Sequence, residues 1–595
     1  MTSFFIRHRS SGDILKACLL VSATFVAYWP AAHGEFIWDD SPNVADNEAL
    51  RSVGGLARSW YRIEENYHFY PLMYSSFWIE YRLWNFSTTG YHLTNILLHA
   101  MGALLLYRLL RTLTVPGAWV AAAVFALHPI QVESVAWITE RKNVLSGFLF
   151  LASLLAYVRY RRLGGTGKTQ SPFSVMYAVS FVLFVLAMLS KTTACTLPAV
   201  ALLLVWWKMN RIGRKDVLLL TPFFIAGIAL GLLTAWVEKE TSFTGTLQAL
   251  DESFGHRCLI AGRAVWFYAG KLVYPSPLMF VYPRWQPDGN DFAQVLYPAA
   301  AIAFVVILWL ARHKLGRAPL VAALCFGGTL FPALSFFDVY FMRFSFVANH
   351  FQYLSSMALI ALVVAVGHSV IERIRLAWIG PPVAAIVVVV LSLLTWHHAH
   401  TFRDEETLWN DAIRKNPDAW MAHNNLGVIF QRRDDLDTAV SYYQAALEVN
   451  DNVFETYKSL TEIYWMTGDL DKALLHGLRA LELAPHIAKV VAHNDLANIL
   501  KDKGDLRAAL DHYRAAMTYD PDKPELQFNY ARTLEISGRS DDAYRHYERA
   551  HSLKPDWPEP LRYMARLLRT HPDPDARDPD LADELERQAE QLKSD

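Results

Sequence analysis

The sequence predicts an all-α protein in two parts, a polytopic membrane bundle of about 11 transmembrane helices and a solenoid of repeated helix pairs. The first observation is composition: 53% of the 595 residues are hydrophobic and only 19% are charged, which is unusual for a soluble protein of this size. The second is that the long apolar runs all lie within residues 1–396. The third is a repeat of near-constant period in residues 397–572.

The first apolar run, residues 14–32, follows Arg7, Arg9 and Lys16 and has no clear small-x-small cleavage site, so we expect an uncleaved first span. The later runs are long enough to cross the hydrocarbon core as helices. They lie at about 91–110, 118–128, 143–160, 174–190, 192–207, 217–236, 295–311, 319–336, 352–371 and 377–396.

Clusters of Lys and Arg predict the orientation, because positive residues beside span ends stay on the cytoplasmic side. They place the N-terminus in the cytoplasm and the repeats outside, which in a bacterium means the periplasmic face of the inner membrane. The segment 257–274 is expected to lie on the outer surface or to re-enter the membrane, since a crossing there would invert all later clusters. The clusters are Arg108 and Arg111; Arg159, Arg161, Arg162 and Lys168; Lys208, Arg211, Arg214 and Lys215; Arg312, Lys314 and Arg317; Arg373 and Arg375.

The second part repeats with the period of tetratricopeptide arrays. Pro417, Asp451, Pro485, Pro521 and Pro555 are separated by 34, 34, 36 and 34 residues. About four repeats and a degenerate cap near 557–570 are expected in a domain that covers 397–572, followed by a polar, solvated tail at 573–595. Such arrays are recognition surfaces, so a protein or glycan acceptor is a candidate partner. The small helix-packing positions are Ala439, Ala473, Ala509, Ala543, Ala446, Ala480, Ala516 and Ala550.

Charge and cysteine content exclude some classes of function. The net charge of −1 gives no support to nucleic-acid binding, which needs a basic face or arm. The four cysteines are scattered without CxxC spacing, so neither a disulfide framework nor a zinc site is indicated. No other metal motif is present either, although a divalent metal stays open.

The first predicted outer loop contains two adjacent carboxylates, Asp39 and Asp40. Because neighbouring side chains in a loop diverge, one could accept a proton from an acceptor hydroxyl while the other orients a partner or a cation. The alternative is a turn, for which Asp-Asp-Ser-Pro is a favourable sequence.

A second motif runs from Phe125 to Asn143 on the same predicted side. A span ends at His128, a short helix carries Glu133, and the next span starts at Arg141-Lys142. Cations at an outer span start oppose the positive-inside trend, so we expect these two to bind an anion, with phosphate as the first candidate. The alternative is an ion pair of Glu140 with Arg141. Weaker outer-side candidates are His68, Tyr70, Glu80, Arg82, Lys191, Arg263, Arg284, Arg343 and His350.

Several stretches resemble the membrane O-mannosyltransferases that carry tetratricopeptide repeats. They are Trp38-Asp39-Asp40, the stretch 91–99 with His92, the stretch 128–136 with Glu133, Arg141-Lys142-Asn143, and the stretch 346–354 with His350. The resemblance extends over the spans and the repeats, which is nearly the whole chain. It implies a glycosyltransferase of the GT-C type that uses a polyprenyl-phosphate sugar on the outer face.

The resemblance also implies roles for residues. Asp39 or Asp40 would be the catalytic base, and Arg141, Lys142 and Arg263 would bind the phosphate of the lipid-linked donor. Asn349 stands where the resemblance predicts Asp. No nucleotide site is needed because the lipid-linked donor, for which mannose is the first candidate sugar, arrives already activated. The implied partners are membrane lipid, the polyprenyl-phosphate sugar and a hydroxyl acceptor on protein Ser/Thr or on a glycan.

Two alternatives stay open. An oligosaccharide ligase of the O-antigen type would use His and Arg of a late outer loop and would not need the Asp pair. A membrane-anchored repeat scaffold without catalysis needs only one span, which makes about 11 spans with charged outer turns hard to explain.

Overall fold

The computed structural model describes residues 11–61, 69–164, 174–241 and 252–594, and every regular element in these ranges is helical. His68 and Lys168 lie outside the described residues. The described chain forms two compact units, one that ends at Ala419 and one that starts at Trp420.

The first unit is built from helices separated by short 3-10 turns. Its α-helices are α1 Ser11–Ala27, α2 Val53–Tyr61, α3 Pro71–Trp84, α4 Thr88–Thr112, α5 Ala118–Leu127, α6 Val132–Ala136, α7 Arg141–Arg161, α8 Val175–Met188, α9 Leu197–Met209, α10 Arg214–Thr241, α11 Phe254–Val273, α12 Phe292–Leu315, α13 Ala318–Leu330, α14 Ser356–Arg373, α15 Gly380–Ala399 and α16 Glu405–Lys415.

Each of the predicted apolar runs contains one of these helices. In the described part of the chain, 7 helical segments are long and apolar enough to cross a membrane, or 8 if α5 and α6, which meet at 50°, count as one span. The other three runs form the shorter helices α1, α8 and α13. Large apolar side chains such as Leu310 and Leu393, exposed to 70% and 64%, cover α12 and α15, as expected for helices that face lipid. The chain is therefore a membrane protein.

Helix α11 covers the segment that was expected to lie on the outer surface or to re-enter. It is amphipathic: Leu259, Ile260 and Ala264 are buried, whereas Arg263 keeps part of its surface exposed. It is not among the described helices that are apolar enough to span. The surface or re-entrant placement stays a prediction.

The second unit is an array of antiparallel helix pairs. Glycine with positive φ occupies the turn between paired helices at Gly468, Gly504 and Gly538. The alanines at the predicted small positions are buried, so paired helices approach closely. The helices are α17 Trp420–Arg432, α18 Leu436–Val449, α19 Phe454–Met466, α20 Leu470–Leu483, α21 Lys489–Asp502, α22 Leu506–Tyr519, α23 Pro524–Ile536, α24 Ser540–Leu553, α25 Pro558–Thr570 and α26 Pro579–Ser594.

The C-terminal segment differs from the solvated tail expected at 573–595. Residues from Pro579 onward form α26, which packs against α25. Ala582, Leu585 and Ala589 are buried. Their spacing of three and four residues forms a narrow apolar stripe that the surrounding charged residues conceal in the composition.

Candidate active site

Trp38 holds the first predicted outer loop, which follows α1, in an unusual backbone conformation. Its φ is 44°, in the left-handed region that bulky residues rarely adopt, at a cost on the order of 1–3 kcal/mol. The indole stacks on Trp137 at 5.4 Å between ring centroids, and the rings of Phe280, Phe341 and Trp409 meet it edge-on at 5.8, 6.3 and 5.9 Å. This aromatic cluster over-determines the position of Trp38 and so maintains the strained loop.

Asp40 is fully buried and serves as an internal anchor. One carboxylate oxygen accepts hydrogen bonds from the backbone N–H and the hydroxyl of Thr139 at 2.7 and 2.5 Å, and the other accepts from Ile37 N at 3.0 Å. Burial raises the pKa of Asp40 to about 7, although these hydrogen bonds favour its ionised form. Both oxygens are thus occupied by the protein.

Asp39 is half-buried, and its carboxylate forms no hydrogen bond or ion pair among the described residues. Burial beside the aromatic cluster is the largest influence and raises the pKa of Asp39 to about 6. The positive charge of Lys142 and the electrostatic influence of His350 oppose that increase, and the negative charge of Glu140 adds to it. A carboxyl with a pKa near neutrality and accessible oxygens is suited to accept a proton.

Two lysines share one glutamate next to Asp39. Lys142 Nζ lies 2.9 Å from one oxygen of Glu140, and Lys191 Nζ lies 3.8 Å from the other. Asn143 also donates to Glu140. The ammonium of Lys142 lies 5.5 Å from the ring centroid of Trp137. The Glu140 carboxylate therefore contacts two ammonium groups, and Lys142 also lies within electrostatic reach of Asp39.

Arg141 points away from this group and is completely buried. Nη1 forms an ion pair with Glu80 at 2.8 Å, Nε donates to Asn95 Oδ1 at 2.5 Å, and Nη2 donates to Tyr91 O at 2.9 Å. This guanidinium ties α7 to α3 and α4. Its geometry favours a structural role over the donor-phosphate contact expected from the sequence, because four of its five N–H donors are already used inside the protein.

Glu133 and His350, 217 positions apart in the chain, are in direct contact. Glu133 is fully buried and accepts hydrogen bonds from His350 Nδ1 and from Asn349 Nδ2, the latter at 2.9 Å. Tyr282 donates to Asn349 Oδ1 at 2.8 Å. The imidazole of His350 meets Trp137 edge-on at 6.0 Å, which places it at the border of the aromatic cluster. The carboxylate thus fixes the orientation of the imidazole ring.

Three further candidates have internal contacts. His128 Nδ1 accepts from Ile130 N at 3.3 Å and caps the turn where α5 ends, while its Nε2 lies 3.1 Å from Leu272 O. His92 is buried in α4 and lies against Gly34, where an added Cβ would come within 3.0 Å of Nε2. Tyr70 belongs to an apolar cluster with Val44, Leu50, Met73, Tyr74, Phe77, Tyr91 and Ile138.

Arg263 and Arg284 lie beside the His350 region and stack on aromatic rings. The guanidinium of Arg263 is 4.4 Å from the ring centroid of Trp285, and that of Arg284 is 4.8 Å from that of Phe346. Phe351 and Trp285 both pack against the cluster that contains Phe346, and the ring centroid of Phe351 lies 4.5 Å from that of His350. Within the described ranges neither arginine forms an ion pair with a carboxylate, so both can receive an anion.

The structure thus brings Asp39, Lys142, Glu133 and His350 together around the aromatic cluster. Sequence reasoning did not identify Glu140 as the partner of Lys142 or Glu80 as the partner of Arg141, because these pairings depend on helix packing. In the part of the chain that the structure describes, no group of three or more His, Cys, Asp or Glu side chains is arranged to hold a metal ion.

Comparisons with known proteins agree with this architecture. Family models for the tetratricopeptide repeat match residues 418–486 and 500–567. The chain is 22% identical over 588 residues to protein O-mannosyl-transferase TMTC3 of Homo sapiens, covering 86% of this chain and 61% of that protein. It is 30% identical over 169 residues to protein O-mannosyl-transferase F38B6.6 of Caenorhabditis elegans, covering 26% of this chain and 24% of that protein.

Among solved structures, the crystal structure of YrrB, described as a TPR protein with an unusual peptide-binding site, is 17% identical. The match covers 31% of this chain and 93% of YrrB, with a TM-score of 0.27. The chain spans 61% and 55% of the length of the human TMTC3 and Drosophila melanogaster Tmtc3 proteins. The chain is a membrane protein with tetratricopeptide repeats and a relative of the protein O-mannosyl-transferases.

Proposed function

We propose that this protein is a membrane glycosyltransferase of the GT-C type that moves mannose from a polyprenyl-phosphate donor to a hydroxyl group of a protein acceptor. The observation that carries the proposal is the half-buried Asp39 carboxylate, which has a raised pKa, no hydrogen-bond partner among the described residues, and Lys142 beside it. The names of the relatives, which describe mannosyl transfer to protein, agree with this chemistry.

In this reaction Asp39 removes the proton from the acceptor hydroxyl, and the oxygen attacks the anomeric carbon of the sugar. The bond between that carbon and the phosphate oxygen breaks, and its electron pair leaves with the lipid phosphate. The proton stays on Asp39, and the anomeric configuration inverts. Lys142, with Lys191 behind the shared Glu140, stabilises the charge that develops on the phosphate. Arg141 and Asp40 hold α7 and the loop in place.

The location of the reaction follows from the predicted orientation. The first outer loop and the turn before α7 would lie at the outer membrane surface, where a lipid-linked donor presents its headgroup. Burial of the site at this boundary lowers the effective dielectric constant and strengthens the interaction between Lys142 and phosphate. We assign acceptor binding to the tetratricopeptide repeats, which form recognition surfaces in general.

The test is transfer by the purified full-length protein in detergent. Polyprenyl-phosphate mannose and a Ser/Thr-rich acceptor peptide are supplied, and mass spectrometry follows the addition of one hexose to the peptide. We expect transfer by the wild-type protein and none by Asp39→Asn. Absence of both transfer and donor hydrolysis with mannose, glucose and N-acetylglucosamine donors would refute the proposed activity.

The oligosaccharide-ligase alternative has one specific feature in its favour, the contact of Glu133 in α6 with His350 of the late predicted outer loop. It predicts that His350→Ala abolishes transfer of a preformed lipid-linked oligosaccharide while Asp39→Asn leaves it intact. The opposite dependence supports the monosaccharide transferase.

A further inference from the structure

We propose that Glu405 is a positioning residue for Asp39 and acts through the backbone of Trp38. The proposal rests on the proposed role of Asp39 as the base. It assigns a function in the membrane unit to α16, the helix that follows the last apolar segment in the chain.

The segment 403–409 contacts the first outer loop at three points. Trp38 N donates a hydrogen bond to the Glu405 carboxylate at 2.8 Å, and Glu35 N donates to Arg403 O at 2.8 Å. The ring of Trp409 meets the ring of Trp38 edge-on at 5.9 Å. Two backbone groups and one side chain of the loop are therefore attached to the same short segment.

Asp39 lies between two fixed neighbours. On its C-terminal side, Asp40 is anchored by Ile37 and Thr139. On its N-terminal side, Trp38 has a positive φ, and its N–H is held by Glu405. A residue in the left-handed region returns readily to an extended or right-handed conformation when its restraints are removed. Such a change at Trp38 would change the direction in which the side chain of Asp39 points.

The helix that carries Glu405 is held at both of its ends. It occupies the first turn of α16, where Asp404 caps the helix by accepting a hydrogen bond from Thr407 N at 2.7 Å. At the other end of the helix, Lys415 Nζ donates to Leu278 O at 2.8 Å and Asn416 Nδ2 donates to Val281 O at 3.2 Å. Glu405 thus extends toward the loop from a helix whose ends are fixed, as required of a residue that positions a neighbouring catalytic group.

The test compares Glu405→Ala and Glu405→Gln in the full-length protein. The amide side chain of Gln retains an oxygen that can accept the Trp38 N–H, so it should preserve the position of Asp39 without the charge. Glu406→Ala is the matched control, since it removes the adjacent glutamate of the same helix. Hydrogen exchange of the peptide 35–45 reports on the loop, and the pH dependence of transfer reports on Asp39.

We expect the Trp38 amide to exchange at least about tenfold faster in Glu405→Ala than in the wild type, with little change in the other two variants. Transfer by Glu405→Ala should fall by roughly 10- to 100-fold, because small displacements of reacting groups have effects of this size. The acidic limb of its pH profile should move to lower pH as Asp39 becomes more hydrated. In Glu405→Gln, both the transfer rate and the pH profile should be close to those of the wild type.

Unchanged exchange of the loop in Glu405→Ala overturns the proposal whether or not the protein is a transferase. Equal defects in Glu405→Ala and Glu405→Gln also overturn it, since they would indicate a role of the charge. A wild-type protein without transfer, combined with faster exchange only in Glu405→Ala, would refute the proposed activity while preserving the link from Glu405 to the loop.

Discussion

Substitution of Asp39 by Asn should abolish transfer and at the same time stabilise the fold. Burial raises the pKa of Asp39 from 3.8 to about 6, so ionisation is less favourable in the folded state than in the unfolded state. This difference of about 2 in pKa corresponds to about 3 kcal/mol, and partial solvent screening reduces the destabilisation to about 1–2 kcal/mol. Above pH 6 the ionised carboxylate therefore destabilises the folded protein, and Asn removes that penalty.

The sign of the effect depends on pH. Below pH 4 the carboxyl is protonated in both the folded and the unfolded state, so the stabilisation by Asn disappears. Unfolding temperatures of the detergent-solubilised wild type and variant at pH 7.5 and pH 4, compared at each pH, measure this difference. Loss of a general base should lower kcat by about 10²- to 10⁴-fold in the same preparation.

Asp40→Asn provides the matched control. Both oxygens of Asp40 accept hydrogen bonds, so the amide leaves one buried donor without an acceptor at a cost of about 1–3 kcal/mol, which offsets the relief from charge burial. No gain in stability is expected for this variant. The reasoning is refuted if Asp39→Asn retains full transfer, or if it is less stable than the wild type at pH 7.5.

Three other outcomes follow from the site. The transfer rate should be half-maximal near pH 6 and fall about tenfold per pH unit below it, since protonated Asp39 cannot accept a proton. A transfer rate that does not change between pH 7.5 and pH 5 contradicts this. Arg141→Ala should lower the free energy of unfolding by about 3–5 kcal/mol because Glu80 remains buried without its partner, and thermal unfolding of the wild type and the variant measures the loss. An inactive Arg141→Ala protein with unchanged unfolding would instead indicate direct donor contact. Lys142→Gln should raise the KM for polyprenyl-phosphate mannose or lower kcat, with partial recovery in Lys142→Arg, as measured by steady-state kinetics. Unchanged KM and kcat for the donor would show that Lys142 does not bind the phosphate.

The repeat array and the apolar helices follow from local periodicity, and for this reason the sequence predicts them well. A period of 34 residues and a run of apolar side chains are visible without knowledge of tertiary contacts. The helix α26 was not anticipated because its stripe of three small or apolar residues is sparse among charged neighbours. Lengths of individual spans were also less predictable, since prolines such as Pro129 and Pro332 break helices that composition alone would continue.

The candidate site shows a different limit. Sequence reasoning identified two pairs of adjacent residues, Asp39-Asp40 and Arg141-Lys142. It could not say which residue of the first pair lies near which residue of the second. That choice depends on partners far away in the chain: Asp40 turns toward Thr139, 99 positions later, and Arg141 turns toward a glutamate 61 positions earlier. In both pairs one side chain is buried and bonded to other residues inside the protein, and its neighbour keeps part of its surface exposed to solvent.

The lysine pair around Glu140 has a consequence for the charge balance of the proposed reaction. With Asp39 ionised, the two carboxylates of Asp39 and Glu140 neutralise the two ammonium groups of Lys142 and Lys191. When Asp39 takes up the acceptor proton, this group of four gains one positive charge. The departing lipid phosphate gains one negative charge in the same step, as a phosphodiester becomes a monoester. The site would therefore become more attractive to the leaving group only at the moment when the bond breaks, and deprotonation of Asp39 would then help to release the spent lipid.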